Sequence, residues 1–161
     1  MTGDGSSLYY SYMNKPNTRN QHGISGKDDR QLMFSLINAG RAIEQSLEEA
    51  LTPIGLSLAK FGALTHLVEA GEPLSLSECA KKMTCVRSNI TQLMDRLEAD
   101  GLVRRIKDPQ DRRTVKAALT RLGRERQSAG AKEVARVQAE LRKTLDGINQ
   151  GALRRALSAI M

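Results

Sequence analysis

Six polar side chains fall on one face of a predicted helix in the middle of the chain. Ile90, Leu93, Met94 and Leu97 form the opposite face, with the spacing of three and four that is typical of a buried helical stripe. The polar face comprises Arg87, Ser88, Asn89, Thr91, Gln92 and Arg96. Asn and Gln can bind adenine through two hydrogen bonds, Arg can bind guanine, and the Thr methyl group can contact thymine. The face is therefore suited to reading base edges, although a polar face that is only hydrated has the same composition.

A second group of charged side chains lies in a predicted β-hairpin that follows this helix. Its basic residues are Arg104, Arg105, Lys107, Arg112, Arg113 and Lys116, and its acidic residues are Asp108 and Asp111. A narrow hairpin that projects arginine is suited to the minor groove of DNA, whose negative potential attracts guanidinium groups. An aspartate beside arginines can hold one of them in a single rotamer through a bidentate pair. We therefore interpret Asp111 as an acid that orients an arginine.

The net positive charge of the chain comes entirely from the segment that contains this helix and hairpin. The formal net charge is +7, from 25 Lys and Arg against 18 Asp and Glu. Residues 81–126 hold 13 basic and 6 acidic residues, whereas the rest of the chain holds 12 of each. A local excess of this kind is typical of a surface that binds a polyanion. The alternative is a solvated basic face without a partner.

Helices predicted from apolar periodicity and from capping residues surround this segment. Their approximate ranges are 28–51, 58–70, 76–83, 87–100, 121–146 and 150–160. Pro53 ends the first helix, because proline disfavours helical geometry in the residue before it. Ser75 and Glu78 form a capping box at the start of the third. Gly101 is predicted as a left-handed cap after the fourth, and Thr120 as the cap before the fifth.

Two short strands, Leu102–Ile106 and Thr114–Leu119, are predicted on either side of the charged hairpin tip. In the second strand, Val115, Ala117 and Leu119 alternate with Thr114, Lys116 and Ala118, which is typical of a half-buried strand. Two short helices, a tight turn and a hairpin make the winged helix-turn-helix arrangement, whose second helix enters the major groove. The predicted fold class is mainly α with a small β-hairpin wing (α+β).

The sequence contains no motif that favours an enzyme, a metal site or a cofactor. A P-loop, G-x-G-x-x-G, G-x-S-x-G and a histidine pair at metal-ligand spacing are all absent. His66 lies in an apolar helix without a neighbouring His or Cys, which favours packing over metal ligation. Cys79 and Cys85 are too few for a disulfide scaffold. We interpret both cysteines as small buried hydrophobic residues rather than sensor thiols.

Residues 1–26 are polar and rich in Gly, Ser and Asn, and we expect them to form a flexible leader. They lack the apolar core of a secretion signal. No apolar run in the chain approaches the ~18–20 residues that cross a bilayer. We therefore expect a cytoplasmic protein with no membrane partner.

The helix-and-hairpin segment resembles the MarR family of bacterial transcription regulators. Three runs carry the resemblance: 93–105 (LMDRLEADGLVRR), 108–113 (DPQDRR) and 118–120 (ALT). Helix order and length also agree with the family from about Asp28 to Met161. The resemblance implies a MarR-type domain at 27–161. In it, the winged helix-turn-helix occupies about 55–120, and dimerisation helices occupy about 28–51 and 121–161.

This resemblance implies a homodimer whose winged lobes bind a palindromic operator in double-stranded DNA. It also implies that the protein is a repressor, released from DNA by a small aromatic or phenolic ligand or by oxidation. Thr91 and Gln92 match the base-reading positions of the family, Arg113 matches the arginine of the wing, and Asp111 matches its orienting acid. Val86 stands where the family often has a Ser or Asp that caps the recognition helix.

The inducer pockets of the family lie between the dimerisation helices and the winged lobe. Helix location alone selects Arg41, Phe61, Thr65 and His66 as candidate ligand-binding residues. An arginine in such a pocket could pair with a carboxylate of the ligand.

Three alternative functions remain open at this point. A winged helix can be a protein-interaction module whose basic face provides only general attraction. A thiol-based redox-responsive regulator is the second, but the redox subgroup of the family carries its cysteine near the start of the first helix, where this chain has none. A thiol enzyme is the third, and it lacks a histidine placed to activate either cysteine.

Overall fold

The computed structural model describes residues 26–83, 87–108 and 114–160, and within them every side chain except those of residues 26–28, 87 and 88. The chain divides into two compact units, residues 1–38 and 39–161. Helix α1 (Gly26–Leu51) begins in the first unit and ends in the second. The other elements belong to the second unit. They are a short 3-10 helix (Thr52–Ile54), α2 (Leu58–Ala70), β1 (Leu74–Ser75), α3 (Leu76–Lys82), α4 (Arg87–Ala99), β2 (Val103–Lys107), β3 (Val115–Leu119), α5 (Arg121–Thr144) and α6 (Gln150–Ser158).

Local capping chemistry defines the ends of α2 and the start of α3. The side chain of Ser57 accepts the N–H of Lys60 at the start of α2, and Gly71 ends that helix with a φ of 70°. At α3, Ser75 Oγ accepts the Glu78 N–H at 3.2 Å, and Glu78 Oε2 accepts the Ser75 N–H at 2.8 Å. These hydrogen bonds hold the pKa of Glu78 below its ordinary value. The predicted capping box is therefore confirmed.

The ends of the last two helices differ slightly from the predicted positions. Helix α5 ends at Thr144 and α6 at Ser158, before the predicted positions 146 and 160. Gly147 adopts a φ of 81°, so the chain turns between the two helices where glycine permits it. Helix boundaries are the least certain part of a periodicity argument, because the last turns frequently fray.

The three strands form one antiparallel sheet in the order β1–β3–β2. The hairpin pairs Val103 with Leu119 and Lys107 with Val115, and the Asp108 N–H donates to the Thr114 carbonyl at 2.9 Å. Strand β1 pairs Leu74 with Ala117 and was not predicted. A strand of two residues is too short to show any periodicity, so only its pairing partner reveals it.

The predicted alternation in β3 is wrong. Val115 is 39% exposed, whereas Ala117 and Ala118, which are neighbours in sequence, are 1% and 8% exposed. Strand β3 is the central strand of the sheet, and it contacts α2, α3 and α5. Because several helices pack against β3, side chains on both of its faces are buried. The alternation of buried and exposed residues that is typical of a half-buried strand therefore does not apply.

A compact junction connects the end of α4 to the start of α5. The N–H groups of Gly101 and Leu102 donate to the carbonyls of Glu98 and Leu97, both at 2.9 Å, and Gly101 has a φ of 71°. This is the Schellman pattern that the glycine predicted. Thr120 donates its N–H to the Leu102 carbonyl at 3.1 Å, and its hydroxyl accepts the Gly123 N–H at 2.9 Å. The predicted cap at Thr120 is confirmed, and it attaches α5 to the start of the wing.

The buried core is aliphatic and lies mostly within the winged helix-turn-helix. Its fully buried large side chains include Leu64, Ile90, Met94, Leu97 and Val103. The fold is mainly α with a small antiparallel sheet, as the sequence predicted. No single helix among the described residues is long and apolar enough to span a bilayer. The segments Asp29–Ile54 and Leu58–Ala70 meet that test only as a pair, which is bent by 76°.

Candidate nucleic-acid interface

Helix α4 has one buried face and one exposed polar face. Ile90, Met94 and Leu97 are 0%, 1% and 0% exposed, so the apolar stripe predicted from the sequence is confirmed. The predicted reading residues Asn89, Thr91, Gln92 and Arg96 are all exposed on the other side. Arg87 and Ser88 lie in the first turn of α4, but their side chains fall outside the described set.

The end of α4 is anchored to α2, and α3 packs against α4. Lys60 Nζ, in the first turn of α2, lies 2.5 Å from Asp100 Oδ2, just after α4. Helices α3 and α4 contact each other directly, and Cys79 of α3 is buried beside α4 in the core. The turn at 84–86, including Val86 at the predicted cap position, lies outside the described residues.

A shallow concavity along α4 is lined by three of the predicted residues. At 290 Å³, the concavity beside α4 is lined by Asn89, Gln92 and Arg96, together with Ile90 and Leu93 of the same helix and Ala59 and Met83 from its neighbours. The three polar side chains share a face because they are spaced three and four residues apart along the helix. This surface can donate and accept hydrogen bonds over a partly apolar floor.

The wing is described up to Asp108 on one strand and from Thr114 on the other. Lys116 Nζ pairs with Asp108 Oδ2 at 2.9 Å, and this hydrogen bond raises the pKa of Lys116 above its ordinary value. The predicted tip residues Asp111, Arg112 and Arg113 lie outside the described residues, so their roles remain predictions. Arg104 and Lys107 on β2 are exposed.

Arg105 makes a set of contacts that the sequence analysis missed. Its guanidinium hydrogen-bonds to Asp95 Oδ1 and lies 3.4 Å from Glu98 Oε2, while its backbone N–H donates to Glu98 Oε1 at 3.0 Å. We call Arg105, Asp95 and Glu98 the Arg105 cluster. Because Arg105 and Lys116 are both paired with carboxylates, the wing presents less unpaired positive charge than its sequence suggests. Glu98 and Arg105 are seven residues apart, and the turn at Gly101 brings them into contact. The spacing alone does not indicate that contact.

The four candidate ligand-binding residues are only partly brought together. Phe61 packs against the core, and a Cβ added to Gly130 of α5 would lie 2.8 Å from its ring. Thr65 accepts a hydrogen bond from Gln127 of α5 at 3.3 Å. His66 lies 3.3 Å from Glu69 of its own helix, and Arg41 is exposed on α1. Phe61 and Thr65 thus face α5 side by side, and a ligand role for all four remains a prediction.

A cavity of about 550 Å³ lies at the base of the wing. Its apolar lining comes from Leu67, Val68, Pro73, Ala118 and Leu119, and its polar lining from Glu72, Arg104, Arg124 and Gln127, with Gly71 at the end of α2. The volume falls within the range of small-molecule sites in proteins. Two arginines beside an apolar floor are suited to an amphipathic anion. Gln127 connects this cavity to Thr65.

Cys79 has the properties of a packing residue. It is 2% exposed, and burial, followed by the nearby charge of Glu78, raises the pKa of its thiol. The thiolate form that reacts with peroxide is therefore disfavoured. Cys85 lies outside the described residues. Among the residues that the structure describes, no three His, Cys, Asp or Glu side chains are grouped to hold a metal ion.

Comparisons with known proteins agree with this arrangement. Residues 56–115 match the model of the MarR family. The HTH-type transcriptional regulator PrsX of Escherichia coli is 36% identical over 93 residues, which cover 57% of this chain and 56% of PrsX. The match therefore spans little more than half the length of that relative.

Solved structures cover more of the chain. The transcriptional repressor CouR bound to a 23-mer DNA duplex has a TM-score of 0.74 at 28% identity, covering 87% of this chain and 99% of that one. CouR from Rhodococcus jostii RHA1 bound to p-coumaroyl-CoA has a TM-score of 0.67 at 27% identity, covering 80% and 88%. A MarR-family transcriptional regulator from Rhodococcus sp. RHA1 has a TM-score of 0.67 at 26% identity, covering 86% and 94%.

The capped helix pair, the three-stranded sheet and these likenesses define a winged helix-turn-helix protein. Its residues 56–115 carry the MarR family match, and solved MarR-family regulators share its fold. The relatives described above carry the names of transcription regulators and not of enzymes.

Proposed function

We propose that the chain is a sequence-specific regulator of transcription that binds double-stranded DNA. The observation that carries this proposal is the exposed polar face of α4, where Asn89, Gln92 and Arg96 line one concave surface. Behind this face, Ile90 and Leu97 are fully buried, so the helix is held rigidly while its polar side chains face outward. Amide and guanidinium groups in that arrangement are suited to base edges in the major groove.

The wing supports the same proposal. Arg104 and Lys107 are exposed on β2, and the five residues between Asp108 and Thr114 include Arg112 and Arg113. A basic hairpin beside a reading helix supplies phosphate and minor-groove contacts, which position a protein on the duplex. CouR, which is 28% identical to this chain, was solved bound to a 23-mer duplex.

The proposal includes a homodimer that binds a palindromic operator as a repressor. The interface of the proposed dimer contains the apolar residues Leu36, Ile43, Leu47, Leu141, Leu145, Leu153 and Leu157 of the dimerisation helices. Of these, Ile43 is 38% and Leu157 is 42% exposed. A cleft of about 280 Å³ between α1 and α5 is lined by Ile43, Val137 and Leu141. Apolar side chains left exposed on a protomer favour burial against a second copy, and a two-fold dimer matches a palindromic site.

The proposal also includes release of DNA by a small aromatic or phenolic ligand. The cavity at the base of the wing is a second candidate location beside the predicted Arg41, Phe61, Thr65 and His66 set. It offers Arg104 and Arg124 to an anionic group and Leu67 and Leu119 to an apolar one. CouR from Rhodococcus jostii RHA1 was solved with p-coumaroyl-CoA bound.

Selection of binding duplexes from a random-sequence pool tests the proposal. We expect recovery of a palindromic sequence, and tighter binding of that duplex than of its scrambled version in fluorescence anisotropy at fixed salt. Typical regulators prefer specific over non-specific DNA by about 10³-fold or more. Equal affinity for selected and scrambled duplexes would favour the protein-interaction module instead. Sedimentation of a folded monomer at micromolar concentration would contradict the homodimer.

Substitution of Asp111 and Arg113 tests the role of the wing, because two models predict opposite changes in DNA affinity for Asp111→Ala. Both lie outside the described residues, and their roles are inferred from their sequence positions. Arg113→Ala is expected to weaken binding to all duplexes and to reduce the slope of log affinity against log salt by about one unit. Asp111→Ala is expected to weaken binding too, because the arginine loses its orientation. If Asp111→Ala instead tightens binding, as charge counting predicts, then the wing is only a diffuse basic patch.

A further inference from the structure

Strand β2 is connected to α4 by a group of polar contacts centred on Arg105. The Arg105 guanidinium contacts Asp95 Oδ1 and lies 3.4 Å from Glu98 Oε2. The Arg105 N–H donates to Glu98 Oε1 at 3.0 Å. Since β2 is an outer strand of the sheet, this N–H points to α4 and not to β3. The Arg105 cluster therefore joins the open edge of the wing to two consecutive turns of α4.

We propose that Arg105 is a positioning residue, which sets the orientation of the wing relative to α4 and through it the affinity for DNA. The proposal rests on the proposed DNA-binding function. It assigns to Arg105 an effect that does not require contact between its guanidinium and a phosphate.

The charges of the Arg105 cluster support a positioning role over a direct one. Two carboxylates surround one guanidinium, so the cluster carries a net negative charge beside a surface proposed to bind a polyanion. Taken alone, that charge opposes DNA binding. The presence of Asp95 and Glu98 is explained if they hold the wing in place. A forked, charge-assisted pair with Arg105 fixes the orientation of the wing as well as its distance from α4.

Arg104 offers a matched comparison. Successive side chains of a strand point to opposite faces, and Arg104 accordingly lines the cavity at the base of the wing, whereas Arg105 contacts α4. The two residues carry the same charge at nearly the same place in the chain. General electrostatic attraction therefore predicts equal effects when either is removed, and positioning predicts unequal ones.

Loss of the Arg105 cluster is not expected to unfold the protein. The side chains of Arg105, Asp95 and Glu98 are 33%, 53% and 39% exposed, and ion pairs at such exposure contribute little to stability. Affinity changes in these variants can therefore be measured on folded protein, with thermal unfolding as the check.

The experiment measures the affinity of the full chain for the duplex that the parent selects, over a series of salt concentrations. Arg105→Gln is expected to weaken binding about tenfold, within the range of coupling between contacting groups, with the salt slope nearly unchanged. Arg105→Lys keeps the charge but loses the fork, and it is expected to weaken binding by about threefold. Arg104→Gln is expected to weaken binding by less than about threefold. Glu98→Ala is expected to weaken binding although it removes a negative charge.

Two results would overturn the proposal. One is equal loss in Arg104→Gln and Arg105→Gln with a slope reduced by about one unit in each. The other is tighter binding by Glu98→Ala. A measurement without DNA separates this proposal from the proposed function: hydrogen exchange of the Arg105 amide is expected to be faster in Glu98→Ala. If the parent selects no duplex, the DNA-binding function fails, and unchanged exchange in Glu98→Ala would then refute the positioning role by itself.

Discussion

Replacing Gly123 with alanine is expected to lower the free energy of unfolding by about 3 kcal/mol, at the upper end of the usual penalty for overpacking. A Cβ at this position would lie 2.0 Å from the carbonyl oxygen of Leu102. That oxygen belongs to the backbone and also accepts the Thr120 N–H, so it cannot move aside as a flexible side chain would. The start of α5 must shift away from the wing to accommodate the methyl group.

Thermal unfolding measures this effect, and Gly62→Ala is the matched control. In a protein of this size, about 3 kcal/mol corresponds to a decrease in Tm of roughly 6–12 °C. Gly62 lies within α2, and the nearest atom to its added Cβ is Met83 Cε at 4.0 Å. Alanine there is expected to stabilise the helix by about 0.5–1 kcal/mol. An unchanged Tm in Gly123→Ala would show that α5 does not approach the wing as closely as described.

Truncation of Gln92 is expected to have the largest effect on base discrimination. Gln92 is exposed on α4 and lines the concave surface with Asn89 and Arg96. A good bidentate contact to a base contributes about 1–3 kcal/mol of discrimination. Gln92→Ala should therefore reduce the preference for the selected duplex over single-base variants at one position by about 5- to 150-fold. The salt slope should stay unchanged, because glutamine carries no charge.

Competition anisotropy with a set of singly substituted duplexes measures this prediction. Gln138→Ala is the control, because Gln138 is also an exposed glutamine, on α5, outside the proposed reading face. It should leave the discrimination pattern intact. Uniform weakening across all duplexes in Gln92→Ala would mean that Gln92 positions the protein and does not read a base.

Local chemistry made several parts of this fold predictable. The capping box of Ser75 and Glu78, the left-handed cap at Gly101 and the cap at Thr120 each depend on hydrogen bonds within a few residues of the chain. The two faces of α4 follow from helical spacing alone. The proposed reading face could thus be predicted from the sequence. Because the apolar stripe of α4 must be buried, the polar side chains lie on the opposite, exposed face.

The errors occurred where burial depends on elements that are distant in sequence. The alternation in β3 failed at Ala118, because β3 is central and contacts several helices. Strand β1 was missed because its two residues become a strand only by pairing with β3. The pairing of Arg105 with Asp95 was not predicted, because it depends on how β2 lies against α4.

By itself, the sequence determined the order of the helices and of the two hairpin strands, the faces of α4, the location of the net positive charge and the resemblance to the MarR family. These properties depend on residue types and on spacings of a few positions. Both are fixed by the sequence and do not depend on the conformation of the chain. Only the tertiary structure decided that Arg105 joins the wing to α4, that Gly123 must lack a side chain, and that a cavity lies at the base of the wing. Each of these depends on distances between elements, and such distances are set by packing after the elements have formed.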